Sequence, residues 1–349
     1  MKITFISHSL EGHRLSWLNA LIKELQDEDR EIEIWSLRDE SNEASLSSNF
    51  KFYSSKWQLI YEIYFQKKSR IFFFIEADNW LMFLIFLSCN GAGVILRYIP
   101  PYGLLLPRFK YFLKRLIFII LSNRKFFSLY ILKVPFNLLD YGIPSECWVS
   151  DSIQIRNLNQ YLIKRGNNNK KKRNVVSIIG FIDTRKNIEL VIDALTIARR
   201  SFPNIVLEIV GVGKPEYIEY LRSIAPEWVT IENRYLDEKS YYELIRTSSL
   251  LMLVYKNHGS SGILLEALYL GTPVVLPQYQ EFEGIARKLP DWVKRSELNP
   301  LDLSLAIMET LKLNYLPEGS FQQVRNAIDI ELNDGLVEHF KEVIYRLDI

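Results

Sequence analysis

The sequence predicts an α/β protein of two tandem Rossmann-like, doubly wound domains that face a cleft. Short apolar runs alternate with helical patterns along the chain, as they do in the βαβ units of a parallel sheet. One basic polar stretch, NNNKKKR at residues 167–173, interrupts this alternation and has the composition of a linker. A chain of 349 residues with 48% hydrophobic residues is long enough to form two such domains.

The first domain is predicted over residues 1–165. Its strands are the runs KITFIS, EIEIWSL, RIFFFIE and GVILRYI, and its helices lie at Leu15–Gln26 and near Trp80–Cys89. The first run is broken too early, by Ser7 and His8, to be a signal peptide. The longest apolar tract, Trp80–Cys89, is shorter than the ~20 residues that a membrane-spanning helix needs.

Residues 166–174 are predicted as the linker and residues 175–330 as the second domain. The strands of the second domain are NVVSIIG, IVLEIVG, WVTIEN, LLMLVY and PVVLP, and its helices are Ile188–Arg200, Pro215–Ala225, Glu238–Thr247 and Ile263–Leu270. Nearly continuous apolar strands are typical of a sheet that helices cover on both faces. The last helical pattern, within residues 331–349, stands apart from the strand series and is free to pack back on the first domain.

Charge and cysteine content narrow the class of function. The 43 basic and 41 acidic residues nearly cancel, which argues against a nucleic-acid partner. Cys89 and Cys147 lie far apart and form no disulfide framework, so a reducing, cytoplasmic compartment is expected. The four histidines share no metal-ligand spacing with other ligand residues, and we expect neither a metal nor a cofactor.

Ligands of open α/β sheets bind beyond the carboxyl ends of the strands, so a site is expected on the strand-to-helix turns. The first such turn follows the strand that ends at Gly180 and carries Arg185 and Lys186 just before a helix. Two cations beside the positive end of a helix suit a diphosphate. Solvated loop charge is the alternative.

A second turn carries Gly211 and Gly213 directly after a strand. Glycine lets the backbone approach a ligand closely, and Gly213 is therefore a candidate for donor binding. A tight turn into the next helix explains the same pair equally well.

The stretch HGSSGILLEALYLGTP forms the third turn. Ser260, Ser261 and Gly262 offer hydroxyl and backbone N–H groups where a helix starts near Ile263, which suits a phosphate. One turn further in, Glu266 suits a pair of vicinal hydroxyls such as those of a ribose. The alternative is an N-cap serine followed by an ordinary first-turn glutamate.

Together these turns, from about Val175 to Pro277, resemble the retaining glycosyltransferases of the GT-B fold, of the broad family-4 type that uses nucleotide-diphosphate sugars. The signature of that family is a glutamate, seven residues, a second glutamate, Ala and then Gly-Thr-Pro-Val-Val. EALYLGTPVV matches it from Glu266 onward, while His258 stands at the position of the first glutamate.

The resemblance implies that Glu266 holds the ribose hydroxyls and that Lys186 contacts the diphosphate. The arginine of the family's loop is replaced by Phe181, and Arg185 is expected to take over its role. Tyr235 and Leu236, in NRYL, are the candidates for contact with the base.

Two further positions follow from the same resemblance. The first glutamate of the family addresses the donor sugar, and His258, which stands at its position, is a catalytic candidate together with Lys186 and Arg185. In the first domain, Gly12 lies where the family keeps glycines against the donor diphosphate.

The implied activity is transfer of a hexose, without a metal, from a nucleotide-diphosphate sugar to a glycan or lipid-linked glycan acceptor in bacterial surface polysaccharide biosynthesis. A non-catalytic nucleotide-sugar-binding assembly subunit and a sugar-nucleotide epimerase on the same fold stay open as alternatives. A loss of turnover through His258 and Phe181 is the basis of the first alternative, and the shared fold is the basis of the second.

The segment 107–127 mixes six basic residues with many aromatic ones. This composition suits a helix on an anionic bilayer surface, where a glycolipid acceptor would be found. A buried helix whose cations reach solvent is the alternative. A peripheral location on the inner face of the membrane is therefore one expectation.

Overall fold

A computed structural model of the chain describes residues 2–8, 14–25, 30–37, 49–95, 105–122, 124–132, 136, 147–149, 155, 158, 174–256, 262–312, 318–332 and 335–348. The chain divides into two compact units. Unit 1 contains Met1–Lys133, Gly142–Gln154 and Leu332–Ile349, and unit 2 contains Val134–Tyr141 and Ile155–Glu331. The predicted linker at 167–173 lies outside the described residues.

Unit 1 is built on a seven-stranded sheet in the order β3-β2-β1-β4-β5-β6-β7, and all of its described strand pairs are parallel. Its strands are β1 Lys2–Ser7, β2 Ile32–Leu37, β3 Phe50–Tyr53, β4 Arg70–Phe74, β5 Asn90–Ile95, β6 Phe127–Leu132 and β7 Trp148–Val149. The strands are short, apolar and mostly buried on both faces, as the sequence pattern predicts.

Helices cover both faces of this sheet. They are α1 Arg14–Leu25, α2 Lys56–Gln66, α3 Leu81–Leu84, α4 Leu105–Ser122 and, from the C-terminus, α12 Leu336–Asp348. The chain moves one way from β1 to β3 and then back from β3 to β6, so right-handed connections put α1 on one face and α2, α3 and α4 on the other. Packing agrees, because α1 and α12 share one core cluster with Phe73, whereas Phe74 contacts Trp80 near α3.

The predicted helix near Trp80–Cys89 is wrong in extent, because its regular part is the single turn Leu81–Leu84. The guanidinium group of Arg124 donates to the carbonyl oxygens of Leu84 and Leu87, at 2.9 Å each. These carbonyl groups are thereby satisfied without further helical turns, and the chain can turn back into β5.

Unit 2 is built on a six-stranded sheet in the order β10-β9-β8-β11-β12-β13, again with parallel pairs only among its described strands. Its strands are β8 Val175–Ile179, β9 Val206–Gly211, β10 Val229–Asn233, β11 Leu250–Met252, β12 Val274–Pro277 and β13 Val293–Ser296. Its helices are α5 Ile188–Ala198, α6 Pro215–Ile224, α7 Glu238–Thr247, α8 Gly262–Tyr269, α9 Glu283–Lys288, α10 Pro300–Lys312 and α11 Glu318–Glu331.

The order of the strands reverses between β8 and β11. From β8 the chain moves to β9 and β10 on one side, and then returns to β11, β12 and β13 on the other. The carboxyl ends of β8 and β11 therefore flank a topological switch point, where the turns diverge and leave room for a ligand. Each unit is thus a doubly wound Rossmann-like sheet, as predicted.

Within the ranges that the structure describes, no helix combines the length and the apolar character needed to cross a bilayer.

Candidate functional site

The turns that follow β8 and β11 are joined by hydrogen bonds at the switch point of unit 2. The side-chain amide of Asn187 donates to the carbonyl oxygen of Val254 at 2.7 Å. The backbone N–H of Lys256 donates to the carbonyl oxygen of Arg185 at 2.8 Å. These two bonds hold the described parts of both turns together at the carboxyl edge of the sheet.

Lys186 is the cation at the centre of this arrangement. Its side chain is buried, its Nζ donates to the carbonyl oxygen of Ile179, and its Nζ lies 5.7 Å from the centre of the Tyr255 ring. Burial lowers the pKa of the Lys186 amine to about 8, with the positive charge of Arg185 adding to this and Asp183 opposing it. A desolvated ammonium group gains more from an anionic ligand than a solvated one does.

The start of helix α5 adds to the positive potential at this place. Asn187 precedes its first residue, Ile188, and adopts a left-handed conformation with φ of 52°. The N-terminal end of a helix carries unpaired N–H groups and a partial positive charge. Lys186 and the helix terminus therefore reinforce one another as an anion site.

Arg185 has a different environment. Its guanidinium group is half exposed and forms a salt bridge of 2.6 Å with Asp183, which also accepts the backbone N–H of Arg185 at 2.9 Å. Phe181, at the place of the family's loop arginine, is 53% exposed. Arg185 would reach an anionic ligand only by sharing or leaving the carboxylate of Asp183.

Two glycines shape the edge of the site. Gly180 has φ of +92°, and a Cβ built on it would meet only Lys186 Nζ, at 3.5 Å. Gly213 is packed tightly, because a Cβ there would lie 2.7 Å from the carbonyl oxygen of Ile182. The N–H of Gly213 donates to the side chain of Asn233 at 3.0 Å, so close backbone packing accounts for this glycine.

Glu266 lies on the inner side of helix α8 and is 5% exposed. The hydroxyl of Tyr241, on α7, donates to Glu266 Oε2 at 2.6 Å. Burial, and then the charge of Glu266, raise the pKa of the Tyr241 hydroxyl well above its usual value, so that Tyr241 remains a donor at all physiological pH values. The hydrogen bond fixes the orientation of the carboxylate.

Some of the remaining predicted residues lie within the part of the chain that the structure describes, and others lie outside it. Tyr235 is 70% exposed beyond the carboxyl end of β10, whereas Leu236 is buried. Gly262 and Ile263 are half-buried and begin helix α8. Gly12, His258, Ser260 and Ser261 lie outside the described residues.

Three residues of this region were missed in the sequence, namely Asn187, Tyr241 and Tyr255. Their roles arise from contacts with residues that are distant in the chain, to Val254, Glu266 and Lys186 respectively. The preference of asparagine for left-handed turns is a sequence signal that would have identified Asn187.

Over the part of the chain that the structure describes, no three His, Cys, Asp or Glu side chains gather into a group that could hold a metal ion.

A family model matches the unit that carries this candidate site. Residues 160–320, just under half of the chain, match the family model described as glycosyl transferases group 1. The matched segment includes Lys186 and Glu266. The sequence matches none of the curated proteins.

Solved structures match nearly the whole chain. Sucrose-phosphate synthase from Thermosynechococcus elongatus has a TM-score of 0.65 at 12% identity, with 99% of this chain and 98% of that chain covered. WaaG, a glycosyltransferase involved in lipopolysaccharide biosynthesis, has a TM-score of 0.60 at 15% identity, with 98% and 99% covered. Anabaena Alr3699/HepE in complex with UDP-glucose has a TM-score of 0.64 at 15% identity, with 100% and 99% covered.

At these identities the likeness shows the fold, which is the GT-B fold of two Rossmann-like units. The family match and the fold together support a GT-B glycosyltransferase.

Proposed function

We propose that this protein is a retaining glycosyltransferase that moves a hexose from a nucleoside-diphosphate sugar to a glycan or lipid-linked glycan. Biosynthesis of a bacterial surface polysaccharide, on the inner face of the membrane, is the setting that we propose for it. The observation that carries the proposal is the buried amine of Lys186 beside the switch point of unit 2. The family match and the UDP-glucose bound by one structural neighbour support the same donor class.

In this proposal each of the described site residues binds one part of the donor. Lys186 and the start of helix α5 hold the diphosphate, and Glu266 accepts hydrogen bonds from the ribose hydroxyls. Tyr235, exposed beyond β10, offers its ring for stacking on the base. Gly180 keeps the approach to Lys186 free of a side chain.

Transfer requires the bond between the anomeric carbon and the diphosphate oxygen to break, with the electron pair leaving on the diphosphate. The acceptor hydroxyl forms the new bond to that carbon and passes its proton to the departing diphosphate oxygen. Negative charge grows on the leaving oxygen while this happens, and a fixed cation in a poorly solvated place stabilises it strongly. Lys186 has the position and the burial for this task, and no step of the proposal uses a metal.

Isothermal titration calorimetry with uridine, guanosine and adenosine diphosphate sugars tests donor binding. Lys186→Met removes the charge and keeps the apolar stem, so we expect donor affinity to fall by about 10- to 100-fold, the range for a charge-assisted hydrogen bond. Lys312→Met, at the exposed end of α10, is the matched control and should bind as the native protein does. Native donor affinity in Lys186→Met would contradict the proposal that Lys186 binds the diphosphate.

Product analysis separates transfer from the alternatives. A transferase releases nucleoside diphosphate and a glycosylated product only when an acceptor is present. Binding of donor without turnover over a broad acceptor panel would support the assembly subunit instead, and conversion of the donor sugar without an acceptor would support an epimerase.

A further inference from the structure

Unit 1 presents an unusual set of large apolar side chains to solvent. We call six residues of α2, of α4 and of the turns that follow α3 and α4 the outer aromatic surface: Trp57, Tyr61, Phe65, Phe86, Phe112 and Phe126. Each of them is more than half exposed, with Trp57 at 73% and Phe86 at 80%. Single exposed apolar residues are ordinary in proteins, but a cluster of this size marks an interaction surface.

The elements that carry these residues are in contact with one another. The rings of Trp57 on α2 and Phe83 on α3 meet edge to face with their centres 5.5 Å apart. Lys56, at the start of α2, donates to the carbonyl oxygen of Asn79 just before α3. Arg124 joins the end of α4 to the carbonyl groups of α3 and the residues after it.

Helix α2 shows most clearly that the outer aromatic residues do not contribute to the hydrophobic core. Its inner side is complete, because Leu59 and Ile63 are fully buried against the sheet. Its outer side nevertheless carries Trp57, Tyr61 and Phe65. A helix that is apolar on both sides is expected to have a second apolar neighbour.

Basic residues accompany the aromatic ones. The stretch 105–126 contains six basic residues and no acidic residue. Lys125 Nζ lies 5.4 Å from the centre of the Phe126 ring, and Lys67 Nζ lies 4.0 Å from that of Tyr64. Arg115 and Lys125 are exposed, so their charge faces solvent together with the apolar surface.

We propose that the outer aromatic surface docks on an anionic phospholipid bilayer. Tryptophan and tyrosine favour the boundary between headgroups and acyl chains, where phenylalanine rings enter the apolar layer. Lysine and arginine at the rim attract anionic headgroups. Helices α2, α3 and α4 lie on the surface in this arrangement and do not span it.

The charge pattern favours a bilayer over a second copy of the chain. A two-fold interface would set the outer aromatic surface against itself, and the exposed cations Arg115 and Lys125 would then lie near the same cations of the partner. Like charges brought together at an interface oppose binding. An anionic membrane removes that conflict. The docking rests on the membrane setting of the proposed function, but vesicle binding is measured without the transfer reaction.

Co-sedimentation of the full chain with vesicles tests the proposal. One set of vesicles contains phosphatidylcholine with added phosphatidylglycerol, and the other contains phosphatidylcholine alone. We expect binding to the anionic set, weaker binding to the neutral set, and weakening by salt. Quenching of tryptophan fluorescence by brominated lipid should fall in Trp57→Phe if Trp57 enters the bilayer.

Two pairs of variants separate the aromatic and the charged contributions. Trp57→Ala should bind anionic vesicles about tenfold more weakly, since it removes most of a large apolar side chain. Tyr345→Ala is its control, because Tyr345 is also 73% exposed but lies on α12, on the opposite face of the sheet.

A double variant, Arg115→Glu with Lys125→Glu, tests the charged contribution. It should bind anionic vesicles about 25-fold more weakly or worse, taking about fivefold for each lost cation. Lys341→Glu, exposed on α12, should change vesicle binding little.

The outcomes decide the matter. Selective loss in Trp57→Ala and in the Arg115→Glu, Lys125→Glu pair, with both control variants unaffected, supports membrane docking. Equal losses in the variants and their controls would overturn it, as would failure of the native chain to bind anionic vesicles. A dimer that Trp57→Ala dissociates without changing vesicle binding would show that the surface belongs to a second copy.

Discussion

The buried amine of Lys186 leads to a prediction that couples stability to ligand binding. Burial lowers the pKa of this amine from 10.5 to about 8. A difference of that size between the folded and unfolded chains corresponds to roughly 3 kcal/mol of destabilisation while the folded amine stays protonated. Below pH 8 the native protein carries this cost in full.

The sign of the pH dependence follows from proton binding. Between pH 8 and 10.5 the unfolded chain holds the proton on Lys186 more tightly than the folded chain does. The contribution of Lys186 to the free energy of unfolding therefore rises with pH across this window. Lys186→Met removes the titration, but leaves the carbonyl oxygen of Ile179 without the amine donor at a cost of about 1 kcal/mol.

We therefore expect Lys186→Met to be more stable than the native protein at pH 7, by roughly 2 kcal/mol, and to lose this advantage near pH 10. Urea denaturation at both pH values measures the difference, and the effects of other titrating groups cancel between the native and variant chains.

Donor affinity should change with pH in the opposite direction to stability. In the native protein it should fall by up to tenfold per pH unit above pH 8, as the free amine loses its proton, whereas the weak affinity of the variant should lack this component.

A matched control keeps this prediction specific. Lys312→Met removes an exposed amine, so it should alter neither the stability difference between pH 7 and 10 nor donor affinity. If Lys186→Met is no more stable than the native chain at pH 7 and the gap does not change with pH, the amine of Lys186 is not desolvated and the reasoning fails.

Three other substitutions probe the site and its scaffold. Glu266→Gln should weaken nucleoside diphosphate binding by about tenfold, and a 2′,3′-dideoxy analogue should bind native and variant proteins alike; a loss that persists with the analogue would speak against a ribose contact. Gly213→Ala should lower the free energy of unfolding by about 1–3 kcal/mol in urea, because its Cβ would lie 2.7 Å from the carbonyl oxygen of Ile182, and an unchanged midpoint would contradict the tight packing. Burial alone would raise the pKa of Glu33, but hydrogen bonds from Trp35, Arg70 and Lys51 lower it from 4.5 to about 2. The contribution of Glu33 to stability is therefore present above pH 4.5 and is lost as the pH falls toward 2. Arg70→Leu should therefore cost about 3–5 kcal/mol at pH 7 and less at pH 4, and urea curves with a pH-independent gap would refute the pairing.

Much of the sheet architecture follows from local sequence. Runs such as KITFIS and NVVSII are apolar on both faces, so they identify buried parallel strands without reference to any partner. The sequence predicts the helix that carries Glu266 at Ile263–Leu270, and the structure has it at Gly262–Tyr269. The prediction is close because an apolar run after glycine and serine residues is typical of the start of a helix. The place of Lys186 in the turn between β8 and helix α5 was predicted from the same alternation of strands and helices.

Other features depend on tertiary packing and have weak local signals. Strand β3 is only four residues long, and the two-sided apolar character of α2 hides its helical period, since Trp57 and Tyr61 face out while Leu59 and Ile63 face in. The early end of α3 depends on Arg124, which lies far along the chain. The bond from Tyr241 to Glu266 joins two helices whose positions the sheet topology sets.

A crystal structure of the protein with a bound nucleoside-diphosphate sugar is the most direct test of the proposed site. We predict an oxygen of the diphosphate about 3 Å from Lys186 Nζ, at the carboxyl ends of β8 and β11. A donor bound elsewhere, with the Lys186 amine still directed only at the carbonyl oxygen of Ile179, would contradict it.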